Sequence, residues 1–258
     1  MNLIFYKYHG AGNDFLLFNN LDSKLSFTKE QISFLCHRNF GVGADGLMLL
    51  NSHIDFDFEM NYFNSDGSGA TMCGNGGRCI VAFAKKLGII SEKTKFIASD
   101  GLHEAVINSN NFVELKMNDV SGIDKINDDY FCFTGSPHYI KFVENIEMVD
   151  VYTEGRAIRY SEKFKLEGTN VNFVQIEENE LLIRTYERGV ENETLACGTG
   201  ITASALVYSN FKNESINEFN FTAKGGKLKV SFEKENFNFK NIWLKGLAEF
   251  VFEGKIEI

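Results

Sequence analysis

Short apolar runs broken by polar turn residues, with a few stretches of helical periodicity between them, set the pattern of this chain. Leu3–Tyr8, Phe15–Phe18, Phe56–Phe63, Leu102–Ile107 and Phe112–Met117 are rich in aromatic or branched residues and bounded by Gly, Asn or Asp, which predicts strands. Leu47–Leu50 is strand-like as well. The second half adds strands at Tyr139–Val143, Asn172–Ile176, Leu181–Tyr186, Lys227–Phe232 and Ala248–Phe252. Thr28-Lys29-Glu30-Gln31 has capping-box form and opens a helix ending near Arg38, while Gly74–Leu87 is a helix closed by Gly88. Two more helices are expected near Val149–Arg159 and over Gly198–Phe211. No segment is low-complexity, and no Pro/Gly/Ser linker divides the halves.

The two halves repeat one another. Cys73-Gly74-Asn75-Gly76 and Cys197-Gly198-Thr199-Gly200 share a Cys-Gly-x-Gly core, 124 residues apart, and each opens an apolar helix rich in small residues. Nine residues before each cysteine a polar residue ends a strand, Asn64 in one half and Arg188 in the other. Gly12-Asn13 and Gly135-Ser136 extend nearly the same register toward the N-terminus. Two homologous halves, each presenting a cysteine at a helix N-terminus beside a polar strand end, are the simplest reading.

Composition narrows what such a pair of cysteines can serve. A chain of 258 residues with 44% apolar and 24% charged content can bury a substantial core, and its 25 Phe and single Pro suit aromatic-rich strands. The net charge of −9, with no Lys/Arg-rich block, argues against a nucleic-acid or anionic-membrane surface. No segment approaches the about 20 apolar residues of a membrane span, and no leader pattern opens the chain, so a cytoplasmic protein with a small-molecule partner is expected. Five cysteines without a CxxC pair suit neither a disulfide framework nor a structural zinc site.

Inverting a carbon centre needs a base on one face and an acid on the other, and two like groups from a duplicated fold supply both. A thiol, with a pKa of about 8.5, is lowered toward neutrality at a helix N-terminus, so one cysteine can be thiolate while its partner stays protonated. The amides of Gly74-Asn75 and Gly198-Thr199 can bind an α-carboxylate and stabilise the charge that deprotonation develops there. A side chain at Gly74 or Gly198 would obstruct that approach.

The chain resembles the diaminopimelate epimerases through His9-Gly10-Ala11-Gly12-Asn13-Asp14-Phe15, Phe63-Asn64-Ser65-Asp66-Gly67-Ser68, Cys73-Gly74-Asn75-Gly76-Gly77-Arg78-Cys79, Tyr186-Glu187-Arg188-Gly189 and Ala196-Cys197-Gly198-Thr199-Gly200. Gly246–Ile258 resembles the family's terminal segment, so almost the whole chain is covered. The resemblance implies an α+β fold of two pseudo-symmetric lobes, each a mixed or antiparallel sheet wrapped around a central apolar helix, with the site in the cleft. Residues 1–118, completed by 247–258, would form one lobe and 119–246 the other. It further implies conversion of LL-diaminopimelate to the meso isomer without pyridoxal phosphate or metal, on the route to lysine and peptidoglycan, by a homodimer. Carried over by position, Cys73 and Cys197 are the acid/base pair. Asn13, Asn64, Asn170, Glu187 and Arg188 bind substrate or organise the site, with Arg188 suited to a bidentate grip on the distal carboxylate. His138 matches a family histidine that tunes the cysteines. The chain departs from the family at Gly46, where Gln often follows the Asp, and at Ser136, which replaces an Asn.

Blander readings apply elsewhere. Cys36, Cys79 and Cys132 read as buried small hydrophobes, and Cys73-x5-Cys79 has the wrong spacing for common zinc frameworks. His9, His37, His53 and His103 read as surface or structural residues. Gly41-Val42-Gly43-Ala44-Asp45-Gly46 formally matches GxGxxG, but it leads from a helix into a strand, the reverse of a dinucleotide-binding turn. Asn13 and Asn64 alone would pass as turn residues. Competing functions are a proline or hydroxyproline racemase of the same fold, a dehydratase using one cysteine, and a non-catalytic binding module.

Overall fold

A computed structural model describes residues 2–212 and 217–258, so Met1 and residues 213–216 of the expected lobes lie outside the described residues. The chain divides into two compact units, Met1–Leu115 with Gly246–Ile258, and Lys116–Lys245.

In unit 1, β1 (Asn2–Gly10) and β2 (Asn13–Asn20) form an antiparallel hairpin. Its two turn residues, Ala11 and Gly12, both have positive φ, which matches the right-handed twist of the strands. Helix α1 (Lys29–Cys36) crosses to β3 (Gly46–Asn51), parallel to β2. The predicted capping box starts α1: Thr28 Oγ1 accepts from the Gln31 N–H and Gln31 Oε1 from the Thr28 N–H. Next come β4 (Phe58–Asn64), antiparallel to β3, and the short β5 (Gly69–Ala70) against β4. Helix α2 (Gly74–Lys86) makes the second crossover to β6 (Lys93–Ala98), parallel to β4, and β7 (Gly101–Ile107) and β8 (Phe112–Lys116) follow as an antiparallel meander.

Unit 2 opens with β9 (Val120–Ser121) and β10 (Asp124–Ile126), then repeats the plan. β11 (Asp129–Phe133) and β12 (Pro137–Phe142) are antiparallel; α3 (Val151–Arg159) crosses to β13 (Asn170–Ile176), parallel to β12. β14 (Leu181–Glu187) and β15 (Asn192–Thr194) are the next antiparallel neighbours. Helix α4 (Gly198–Lys212) crosses to β16 (Glu218–Ala223), parallel to β14, followed by β17 (Gly226–Glu235) and β18 (Asn238–Leu247). β19 (Glu249–Glu257) returns to unit 1 and pairs antiparallel with β1.

The order of antiparallel and parallel neighbours from β1 to β7 is therefore that from β11 to β17. Packing follows suit: α2 lies on β1, β2, β3 and β7, and α4 on β11, β12, β13 and β17. Both helices are buried along most of their length, as their small apolar residues require. A shorter amphipathic helix covers the opposite sheet face. In unit 1, Ile32, Leu35 and Cys36 of α1 meet Leu3, Phe5, Leu16, Phe18, Leu47 and Leu49. In unit 2, Val151 of α3 meets Tyr139, Phe164, Val171, Phe173 and Tyr186. Side chains alternate along a strand, so Phe15 and Met48 turn toward α2, and His138, Asn170 and Asn172 toward α4.

The Gly41–Gly46 segment is a tight connection, as the sequence order implied. The N–H groups of Val42 and Gly43 donate to Leu35 O, and that of Ala44 to Cys36 O, before the chain enters β3. Among the described residues no helix is long and apolar enough to cross a membrane.

Candidate functional site: two cysteine-headed helices

Cys73 is the N-cap of α2. Its backbone is extended, its carbonyl accepts from the Gly77 N–H at 2.8 Å, and its Sγ accepts from the Gly76 N–H at 3.2 Å. A sulfur so placed takes up one of the donors that the first helical turn leaves without a partner, where the helix dipole favours negative charge. Behind it, the fully buried Arg78 donates from Nη1 to Gly74 O at 3.0 Å and from Nη2 to Asn75 Oδ1 at 2.8 Å. Asn75 Nδ2 reaches Asn13 Oδ1 at 3.4 Å, and Asn13 Nδ2 donates to Asp45 Oδ2 at 2.7 Å. Asp45 is tied to Arg38, and Asp14 to both Arg38 and Lys7, whose Nζ also donates to Gly43 O. Burial works against ionisation of Asp14, but its hydrogen bonds and ion pairs with Arg38 and Lys7 outweigh that and hold the carboxyl at about 2. Asn64, at the end of β4, is exposed and donates from Nδ2 to Ser68 Oγ at 3.1 Å. Gly46 faces the Tyr62 ring so closely that a Cβ would lie 2.6 Å from Cε2.

Cys197 precedes α4 in the equivalent way, its carbonyl accepting from the Ile201 N–H at 2.9 Å. It is 7% exposed, and its Sγ lies 3.5 Å from Thr199 Oγ1. Thr199 Oγ1 is 3.3 Å from Ser136 Oγ, which is 2.9 Å from His138 Nε2. The direction of this chain follows from its far end. Asn172 Nδ2 donates to Tyr139 O at 3.0 Å and its Oδ1 accepts from Thr185 Oγ1, so the amide group presents N–H to His138 Nδ1, 3.2 Å away. His138 therefore accepts at Nδ1 and donates from Nε2 to Ser136, which leaves the Ser136 hydrogen for Thr199 and the Thr199 hydrogen for Cys197. Burial, with the Arg188 charge adding to it, pushes the His138 pKa down to about 3, so the imidazole at the head of this chain is neutral.

Asn170 holds the neighbouring strand end together. Its Nδ2 donates to Pro137 O at 3.1 Å and its Oδ1 accepts from the Arg188 N–H at 2.9 Å. The exposed Arg188 commits Nη1 to Glu167 O at 2.8 Å, and Glu187 Oε2 accepts from Thr194 Oγ1 at 2.8 Å.

Unit 1 thus gathers Cys73, Gly74, Asn75 and Asn13, with Asn64 at the neighbouring strand end. Unit 2 gathers Cys197, Gly198, Thr199, Ser136, His138 and Asn170, with Glu187 and Arg188 at the corresponding strand end. All five cysteines are free thiols. Burial raises Cys36 and Cys132 to about 12 and Cys79 higher still, which leaves these three protonated and inert.

Sequence reasoning missed Asn172, Arg78 as a buried charge, and the reason for the second glycine of each core. A Cβ at Gly200 would sit 2.2 Å from Asn172 Oδ1, and one at Gly76 would sit 2.5 Å from Met48 Cε. These glycines let each helix start lie directly on the central strands. The sequence marked Asn172 as the first residue of the predicted Asn172–Ile176 strand, but nothing local marked it as opposite α4.

The family profile described as diaminopimelate epimerase matches residues 5–121 and 130–251. A protein named diaminopimelate epimerase from Flavobacterium psychrophilum is 52% identical over 257 residues, covering 97% of this chain and 99% of that protein. One of the same name from Chlorobaculum tepidum is 42% identical over 258 residues, covering 96% and 99%. Among solved structures, a Bacillus anthracis phenazine biosynthesis protein of the PhzF family superimposes with a TM-score of 0.79 at 15% identity, with 100% of each chain covered. A probable proline racemase from Agrobacterium radiobacter superimposes with a TM-score of 0.68 at 13% identity, covering 99% of this chain and 93% of that one. At such identities these two structures are similar in fold alone.

Proposed function

Because the chain belongs to the diaminopimelate epimerase family, we propose that it converts LL-diaminopimelate to the meso isomer, with Cys73 and Cys197 as the paired base and acid. The observation that carries this reading is the duplicated helix start. Each unit sets one cysteine at the N-terminus of its central helix, with the second glycine of each core packed tightly beneath.

In the forward step a thiolate takes the α-proton from one face of the carbon, and the electron pair delocalises into the adjacent carboxylate. The opposite thiol then delivers its own proton to the other face. One sulfur has gained a proton and the other has lost one, so the net change is inversion, and the reverse reaction starts from the swapped state. Amides at Gly74-Asn75 and Gly198-Thr199 hold the α-carboxylate where its charge grows. Asn13, Asn64, Asn170 and Glu187 position the substrate, and Arg188, with one guanidinium hydrogen bond among the described residues, grips the distal carboxylate. Ser136 and His138 orient Thr199. Exclusion of water around the bound substrate strengthens the thiolate as a base.

A cytoplasmic setting suits five free thiols. A homodimer is supported by β19, which pairs with β1 alone among the described pairings and exposes Phe250, Val251 and Phe252 in a row. A second copy of the same strand is the occupant we assign, and Val251→Asp should convert a dimer seen by light scattering into monomer.

The test of function is proton NMR of the reduced protein with LL-diaminopimelate in deuterated water. Loss of one α-proton signal together with appearance of the meso isomer is the expected result. No exchange, with turnover of proline or hydroxyproline instead, would move the function to another racemase.

A further inference from the structure

Among the described residues Arg78 is the largest fully buried side chain, and its charge has no carboxylate partner. Its contacts are the Gly74 carbonyl and the Asn75 side-chain oxygen, and its Nε hydrogen has no acceptor. Such a charge is costly to bury unless something offsets it.

Unit 2 shows what the carbonyl bond alone requires. Thr202 stands where Arg78 does, four residues after the first glycine of its helix, and its hydroxyl donates to Gly198 O at 3.0 Å. A neutral threonine thus ties the same carbonyl at the same distance, so the helix start does not need a cation. The surroundings of the two sulfurs differ in the complementary sense. At Cys197 the hydroxyl relay directs a hydrogen at the sulfur, which favours its thiolate, whereas the residues under the Cys73 helix start, Phe15 and Met48, offer no such donor.

We infer that Arg78 is a positioning residue that sets a buried positive charge at the Cys73 helix start and favours the thiolate of Cys73, in place of the hydroxyl donor that Cys197 has. This rests on the two-cysteine reading above. Burial holds the Arg78 pKa down, and Cys79 and then Cys73 oppose it.

The described ionisable groups on the elements packed against α2 are matched or neutral. On α2 itself Cys79 is held protonated. From β1, Tyr8 is held neutral by burial and His9 leaves its Nδ1 unpartnered. From β2, Asp14 is matched by Lys7 and Arg38; β3 carries no ionisable side chain. From β7 and the turn before it, His103 pairs with Asp100 and Glu104 with Lys95, and Asp100 adds a negative charge near Met72. Lys85 and Lys86 lie in the last turn of α2, at Asn108 O and the Phe250 ring, so Arg78 is the cation near the Cys73 end of that helix.

The test follows the alkylation of Cys73 by iodoacetamide across pH in the full-length Cys197→Ser protein, read at the Cys73 peptide by mass spectrometry. This readout needs no epimerase activity, so a failed function assay and a failed inference are distinguishable. The Cys73 midpoint should lie at least one pH unit below the ordinary thiol value of about 8.5. Arg78→Met should raise it by a unit or more, slowing labelling at pH 7 about tenfold, and Arg78→Lys should restore most of the rate. A midpoint at or above the ordinary value in the parent protein overturns the inference, even if Arg78→Met does not fold. So does an unchanged midpoint in folded Arg78→Met, or equal slowing in the Met and Lys variants.

Discussion

The two cysteine sites are built on one backbone plan with opposite chemistry beneath it. Under the second glycine of the α2 core lie Phe15 and Met48; under that of α4, in the same strand positions, lie His138 and Asn172. An apolar floor with a buried guanidinium therefore supports Cys73, and a polar, neutral floor supports Cys197. A duplicated fold fixes where two reactive groups stand relative to their own helices. It leaves the protonation state of each to be set by a few side chains that strand alternation aims at the helix start.

The largest effect expected is on turnover. Cys73→Ala and Cys197→Ala should each lower epimerisation by about 10³-fold or more, within the range that general acid–base groups supply, as followed by isomer formation in deuterated water. Full activity in either variant would break the two-base scheme and with it the meaning of the pairing. Packing should distinguish the two floors next. Gly200→Ala meets a buried amide oxygen held by two strands and should cost about 3 kcal/mol, whereas Gly76→Ala meets the flexible end of Met48 and should cost about 1 kcal/mol. Urea denaturation of the two variants checks the order, and equal losses would show the floors to be equally rigid.

The smallest effect is on pH dependence. His138 has a folded pKa of about 3 against an ordinary 6.5, so the unfolded chain binds a proton that the folded one refuses. Its contribution to stability is present in full above pH 6.5 and is lost as pH falls from there toward 3. Asp14 adds a second loss lower down, as pH falls from 3.8 toward its folded value of about 2. Melting temperatures of His138→Gln should fall less steeply between pH 6.5 and 4 than those of the parent protein, and parallel curves would mean that His138 is solvated. Unit 1 has no counterpart, because Phe15 occupies that place.

Most of this architecture could be read from the chain. The aromatic runs marked β1, β2, β4, β7 and β8, the Thr28 capping box marked α1, and the Cys-Gly-x-Gly repeat marked α2 and α4 as equivalent. Strands such as β6, Lys-Thr-Lys-Phe-Ile-Ala, and β16, Glu-Phe-Asn-Phe-Thr-Ala, were missed because their outward residues are charged or polar. Their alternation is present, but each offers only three inward positions. At the site, residues within a few positions of the cysteines were legible. The Asn172 amide, the direction of the His138 relay and the isolation of Arg78 depend on which strands become neighbours, and that is a property of the tertiary fold.

The return of β19 to β1 has a consequence for synthesis. Unit 2 is one continuous stretch of chain, while unit 1 needs residues 249–257, translated after all of unit 2, to cover the free edge of its first strand. On the ribosome the domain that emerges first is therefore the one completed last. Until then β1 is an open edge bearing Phe5 and Tyr8, and a nascent chain stalled before residue 249 would carry a sticky, unfinished N-terminal half beside a finished C-terminal one.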